Sequence, residues 1–235
     1  MIAGTLYGIS LGPGDPGLVT VKGLDLLRQA DRVYYAGSAG SEGRVSHALR
    51  ILRHHGLDEA RLSGVYLPMS EDPAVADATY RAAFAAMEAD CARPLRVAFA
   101  CEGDISFFST FTRLLELAGQ AGLPVEMVAG VPAFLLGAAV QGRVLASGRE
   151  RVAILPRLRD AAELARCLEQ FDVVVLIKIR SVAAEIADLA ERHGWSVVLC
   201  ESLGMPGQFV SARPADLRER ALPYLSLLIV RRIQP

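Results

Sequence analysis

Leu6-Tyr7-Gly8-Ile9-Ser10-Leu11-Gly12-Pro13-Gly14-Asp15-Pro16-Gly17-Leu18-Val19-Thr20 carries an apolar, strand-like run into a loop of Gly, Pro and Asp, and an amphipathic helical pattern follows. Gly12 and Gly14 lack a Cβ, so backbone there can approach a ligand closely or turn to positive φ. Pro13 and Pro16 stiffen the loop. Pro16 suits the first turn of the next helix and Asp15 suits its N-cap. Rigid strand–loop–helix units are where open α/β sheets bind ligands. The loop has neither G-x-G-x-x-G spacing nor the Lys-Ser/Thr of a P-loop, which removes the main support for dinucleotide or nucleoside triphosphate binding. Taken alone, the stretch also reads as a plain structural turn.

Outward from this loop, strand-like and helical segments alternate. The patterning predicts strands at Thr5–Ser10, Arg32–Tyr35, Arg61–Leu67, Leu95–Cys101 and Val125–Val128. Helices are expected at Val19–Ala30, Arg44–His55, Val75–Asp90 and Phe108–Gln120, the last with a core stripe of Phe111, Leu114, Leu115 and Ala118. Such alternation implies a mainly parallel sheet covered on both faces. After Gly130-Val131-Pro132 the character changes. A small-residue helix, Ala133–Val140, precedes strands at Arg151–Leu155, Asp172–Ile179, Ser196–Glu201 and Tyr224–Arg232, with a short Gln208–Ser211 run. Helices fall at Asp160–Gln170, Val182–His193 and Pro214–Arg220. The expected fold is therefore α/β in two domains, 1–131 and 132–235, the second with a mixed sheet. With no flexible linker between them, a cleft between the domains is expected.

Composition narrows the function. Hydrophobic residues make up 52% of the 235, which excludes disorder. Lys and Arg number 25 against 26 Asp and Glu, so the chain offers no field for nucleic acid or an anionic membrane. Mean hydropathy is +0.31, yet no apolar run approaches the roughly 18 residues of a bilayer span. No basic segment leads into an apolar core at the N-terminus, so no signal peptide is visible and a cytoplasmic setting is expected. Cys91, Cys101, Cys167 and Cys200 are scattered without a C-x-x-C pair and read as free thiols. His54 and His55 diverge on a helix and read as solvated, so no protein-bound metal is expected.

Three further loops follow probable strands. They are Cys101-Glu102-Gly103-Asp104-Ile105-Ser106-Phe107-Phe108-Ser109-Thr110-Phe111, Ala129-Gly130-Val131-Pro132-Ala133 and Cys200-Glu201-Ser202-Leu203-Gly204-Met205-Pro206-Gly207-Gln208. With the opening loop, they resemble the tetrapyrrole (corrin/porphyrin) methylase family in order and spacing over essentially the whole chain. Leu67-Pro68-Met69-Ser70, Val97–Asp104, Phe107–Phe111 and Val174–Lys178 resemble its branch acting at C(20) of precorrin-2 or cobalt-factor II. Ile105 stands where that pattern has Pro, Phe108 where it has Tyr, Pro132 and Ala133 where small hydroxyl residues are usual, and Arg180 where Gly is common.

The resemblance implies methyl transfer from S-adenosylmethionine to a meso carbon of a reduced tetrapyrrole in cobalamin biosynthesis. Its cofactor residues would be Pro13, Glu102, Gly103, Asp104, Phe107, Pro132, Ala133, Ile177 and Leu203, divided between a first domain that also holds the substrate trough and a second domain. Asp104 would hold the cofactor amine or polarise the substrate, with a helix cap as the alternative. Asp104, Lys178 and Glu201 are candidates to accept the departing meso proton, and bulk water would also suffice. A displacement with a neutral leaving group needs alignment more than acid–base groups. Substrate carboxylates would meet Lys22, Arg44, His47 and Lys178. The apolar composition and near-zero charge add the expectation of a homodimer.

Overall fold

The computed structural model describes residues 1–41, 43–70, 72–177, 179 and 182–233. The chain divides into two compact units, Met1–Pro132 and Ala133–Pro235. The first contains β1 (Leu6–Ser10), α1 (Val21–Gln29), β2 (Arg32–Gly40), β3 (Gly43–Val45), α2 (His47–His54), β4 (Leu62–Pro68), α3 (Pro73–Cys91), β5 (Val97–Cys101), α4 (Phe111–Ala121) and β6 (Val125–Val128). Its parallel strands run in the order β4-β2-β5-β1-β6, and β3 pairs antiparallel with the far end of β2.

Every residue of β1 is buried, as a strand with helices on both faces requires. Its side chains alternate between two cores. Leu6 joins Val97, Phe99 and Phe111 on the α3/α4 face. Tyr7 and Ile9 join Leu27, Ile51 and Leu52 on the α1/α2 face. From β1 the chain crosses past β5 to reach β2, whereas from β5 it crosses past β1 to reach β6. The two crossovers leave this neighbouring pair in opposite directions. The carboxyl ends of β1 and β5 therefore flank the topological switch point, where open sheets leave a crevice.

The second unit contains α5 (Ala133–Val140), β7 (Val152–Leu155), α6 (Ala161–Gln170), β8 (Val173–Ile177), α7 (Ala183–His193), β9 (Ser196–Glu201), β10 (Phe209–Ser211), α8 (Asp216–Glu219) and β11 (Ser226–Arg231). The order β10-β9-β11-β8-β7 makes a mixed sheet in which β11 is antiparallel to both β8 and β9. α6 and α7 cover one face, and α5 packs on the other with Val173, Val175, Cys200 and Ile229. Gly137 lets α5 approach closely, since a Cβ there would lie 3.1 Å from Cys200 Sγ.

Several boundaries differ from the sequence expectation. Residues 44 and 45 belong to β3, and α2 starts at His47 because Ser46 Oγ accepts the Leu49 N–H. β2 runs on to Gly40, since β3 pairs with Ser38–Gly40 after β5 pairing has ended at Tyr35. Asp15 caps a short 3-10 turn, Pro16–Leu18, and Thr20 caps α1. α4 starts at Phe111, not Phe108, because Phe108 has a φ of 48° that no α-helix accepts. The core stripe of α4 includes Leu117, while Leu115 is 37% exposed. His55 is half-buried, with Nε2 3.0 Å from the Pro16 carbonyl oxygen, so it is not the solvated residue expected.

The register of α4 makes a direct prediction. Leu114→Ala, at a fully buried position, should cost about 2–5 kcal/mol of unfolding free energy, whereas Leu115→Ala should cost under about 1 kcal/mol. Urea denaturation of the two variants checks this, and equal losses would contradict the register.

Candidate active site

A buried hydrogen-bond cluster ties together the ends of β1, β5 and β6. The Ser10 hydroxyl donates to the Val128 carbonyl at 2.7 Å and accepts the Ile105 N–H at 2.8 Å, with Ser10 itself fully buried. Asp104 Oδ2 accepts the Gly130 N–H at 2.6 Å, and Oδ1 accepts the Ser106 N–H at 2.9 Å as well as the Ser106 hydroxyl. Burial pushes the Asp104 carboxyl pKa up, but the bonds from Gly130 and Ser106 outweigh this and leave it below its ordinary value. Asp104 is thus not a helix cap. α4 is entered through Thr110, without a side-chain cap bond.

Glycines bring the backbones together. Gly12 and Gly103 exchange N–H···O bonds of 3.2 and 2.7 Å. A Cβ on Gly130 would lie 2.3 Å from Ser10 Cβ and 3.0 Å from the Gly103 carbonyl oxygen, so only glycine fits. Gly103, at φ 72°, differs. Apart from its chain neighbours, a Cβ there would meet no atom of the described residues within 4 Å, so its backbone faces open space among them.

α2 braces the same edge. Arg50 donates to the Gly14 carbonyl, and Glu102 Oε1 accepts the Ala48 N–H at 3.0 Å in the first turn of α2. Pro13, between Gly12 and Gly14 in the same loop, is buried. Phe107 is half-buried and contacts the exposed Phe108 edge-on, with ring centroids 4.7 Å apart. Ile105 sits in the sheet core, and its N–H to Ser10 is a bond that proline could not make. The first unit therefore gathers Pro13, Glu102, Gly103, Asp104 and Phe107 at one sheet edge, and Pro132 follows β6 on that edge.

In the second unit, Ile177 ends β8, and both it and Ala133 pack in the cluster that includes buried Leu203. Glu201, 4% exposed, accepts two bonds of 2.9 Å from Arg220, whose guanidinium lies 3.7 Å from the Phe209 ring centroid. The Arg220 pKa is raised by these bonds. Both Glu201 oxygens are thus occupied, a pairing that Arg220's place in a short, weakly patterned segment concealed. Lys178 and Arg180 lie outside the described residues.

The cationic candidates occupy different settings. Lys22 pairs with Glu126 at 2.7 Å in an exposed contact. Arg44, on β3, lies 5.0 Å from the Tyr66 ring centroid, and that ring packs where Cβ atoms on Gly37 and Gly64 would collide with it. His47 is the half-buried first residue of α2. Ser10 and Arg50 are residues of this edge that sequence reasoning did not single out, and Tyr66 beside Arg44 was missed as well, whereas Gly130 stands in one of the loops it did single out. Only the Gly-Pro loops on either side of Ser10 and Gly130 signalled the edge.

The Asp104 bonds dictate a pH signature. A depressed carboxyl pKa adds stability that is present above the unfolded value of about 4 and lost as pH falls through the folded value. Asp104→Asn should therefore destabilise by about 1–3 kcal/mol at pH 7, with the gap to the parent protein narrowing as pH falls below about 4. Denaturant titrations at the two pH values measure this; a gap constant with pH would contradict it.

Comparison with known proteins agrees with this architecture. The chain is 32% identical to cobalt-precorrin-2 C(20)-methyltransferase of Salmonella typhimurium, over 97% of this chain and 96% of that protein. It is 29% identical to precorrin-2 C(20)-methyltransferase of a Sinorhizobium species, over 97% and 95%. Its fold matches uroporphyrin-III C-methyl transferase from Thermus thermophilus, solved with S-adenyl homocysteine, at a TM-score of 0.67 and 21% identity over 97% of each chain. Residues 5–217 match the family described as tetrapyrrole (corrin/porphyrin) methylases, and the chain belongs to that family.

Proposed function

We propose that this protein is an S-adenosylmethionine-dependent methyltransferase acting at the C(20) meso carbon of precorrin-2 or its cobalt-bearing counterpart, in cobalamin biosynthesis. The observation that carries the reading is the near full-length similarity to two enzymes named for this position, one for each metal state. The switch-point edge built on Ser10, Asp104 and Gly130 supports the reading as a place where an open sheet takes a ligand.

The residues fit the cofactor. S-adenosylmethionine, when bound, supplies a sulfonium-activated methyl that leaves neutral S-adenosylhomocysteine behind. Its ammonium and sulfonium charges suit an edge carrying the Glu102 and Asp104 carboxylates, and the open face of Gly103 gives a ligand room against backbone. Pro13 and Phe107 line the same edge. Pro132, Ala133, Ile177 and Leu203 are its further proposed contacts, the last two as apolar walls for adenine.

The chain's contribution to catalysis is orientation and exclusion of water. Asp104 is a poor proton acceptor because its carboxyl pKa is lowered, and it serves instead to fix the loop. Glu201 is committed to Arg220. The meso proton departs to solvent, or to Lys178. Peripheral carboxylates of the substrate fall to Arg44 and His47. Lys22 joins them once its weak exposed pair with Glu126 is exchanged.

The same reading takes the protein as a cytoplasmic homodimer that contacts neither membrane nor nucleic acid. Four free thiols suit a reducing compartment, and no helix among the described residues is long and apolar enough to cross a membrane. Leu135 and Val140 on the apolar helix α5, at 44% and 45% exposure, are candidates for burial by a second copy. Light scattering should give twice the 25.2 kDa chain mass, and a monomer mass at all concentrations would contradict the dimer.

Two experiments test the activity and its site. Anaerobic turnover with methyl-labelled S-adenosylmethionine should place the label at C(20) of precorrin-2 or cobalt-precorrin-2; label at another carbon would assign a different position, and no transfer would contradict the reading. Gly103→Ala should leave a folded protein, destabilised by about 1–2 kcal/mol through its left-handed backbone. The added methyl fills the open face, so S-adenosylhomocysteine affinity should drop about tenfold or more. Unchanged affinity by calorimetry would remove this loop from the cofactor site.

A further inference from the structure

Phe108 and Ser202 are the described non-glycine residues with positive φ, at 48° and 49°. For a bulky aromatic this is an outlier, because its Cβ crowds the neighbouring carbonyl. Such a conformation persists only where its surroundings enforce it. Here the Phe107 N–H donates to the Asp104 carbonyl on one side, and Ser109 Oγ accepts the Phe111 N–H on the other, 3.1 Å from Cys101 Sγ. The chain is pinned before and after Phe108 and reverses between the pins. The ring is left 54% exposed, meeting Phe107 edge-on. Burial does not account for a phenylalanine at this point. Turn chemistry does not either, since Gly or Asn would make the turn without strain.

We infer that Phe108 is a specificity-determining residue whose exposed ring packs against the conjugated macrocycle of the tetrapyrrole. The inference rests on the function proposed above, which supplies the ligand class. The structure supplies the position, on the loop between β5 and α4 that also carries Gly103 and Asp104. A macrocycle presents a broad π surface that an aromatic ring covers with dispersion contact while excluding water. A ring held in advance by a pinned backbone loses little further freedom on binding. Cations meet the carboxylate rim of the substrate, and Phe108 meets its apolar body.

Three variants separate this role from a structural one. Phe108→Asn and Phe108→Gly accept the left-handed backbone, so their melting temperatures should hold or rise by roughly 2–4 °C. In anaerobic assays with cobalt-precorrin-2 and with precorrin-2, both should show a KM raised about tenfold or more, with S-adenosylhomocysteine affinity held within about twofold. Phe108→Tyr keeps the ring and should keep the parent KM. An unchanged KM in Phe108→Asn overturns the inference. A matching loss of S-adenosylhomocysteine affinity overturns it by assigning the ring to the cofactor, and a change of solution mass overturns it by assigning the ring to a subunit contact. If the parent protein neither binds nor methylates either tetrapyrrole, the proposed function fails and this inference fails with it.

Discussion

Two small side chains, Ser10 and Asp104, hold three strand ends in one arrangement. Ser10 uses its hydroxyl as donor to Val128 and as acceptor from Ile105, and Asp104 accepts from the Gly130 N–H. Backbone groups at the ends of buried parallel strands have no ladder partner left, and an unpaired buried group costs about 1–3 kcal/mol. The two side chains satisfy the last carbonyl of β6 and N–H groups of the loops after β5 and β6. Glycine at 130 is a condition of the arrangement, since any side chain would occupy the space of Ser10.

The position of this cluster explains why the edge suits a ligand. Opposite crossovers separate the helices above β1 and β5, so the loops there are not roofed by a shared connection. Those loops must then be stiffened from below and from the side. Ser10 and Asp104 act from below, while α2, through Arg50 on Gly14 and its first-turn N–H on Glu102, acts from the side. A methyl transfer that depends on aligning three atoms requires such stiffness more than it requires a strong base. Strain at Phe108 belongs to the same economy, being tolerable only between two fixed points.

Much of the fold is legible in local pattern. The apolar runs at Val125–Val128, Ser196–Glu201 and Ala133–Val140 carry their element boundaries directly, because turn residues flank each of them. What escaped was set by distant partners. The extension of β2 depends on pairing with β3, and the start of α4 depends on a backbone reversal that a phenylalanine does not signal. The loops of the candidate site were recognisable as Gly-Pro turns after strands. The bond from Gly130 to Asp104, 26 residues apart, and the Arg220 pair that occupies Glu201 were not, because both are products of tertiary packing.

Ser10 gives the most direct test that the buried cluster shapes the ligand site. It is fully buried and its hydroxyl faces only protein, so a ligand at the sheet edge would sense its loss only through the loops it holds. Isothermal titration of S-adenosylhomocysteine into Ser10→Ala, compared with the parent protein at 25 °C, measures that coupling. The account predicts a folded variant whose affinity is weaker by about fivefold or more, equivalent to roughly 1 kcal/mol. A folded Ser10→Ala protein that binds with the parent affinity would contradict it.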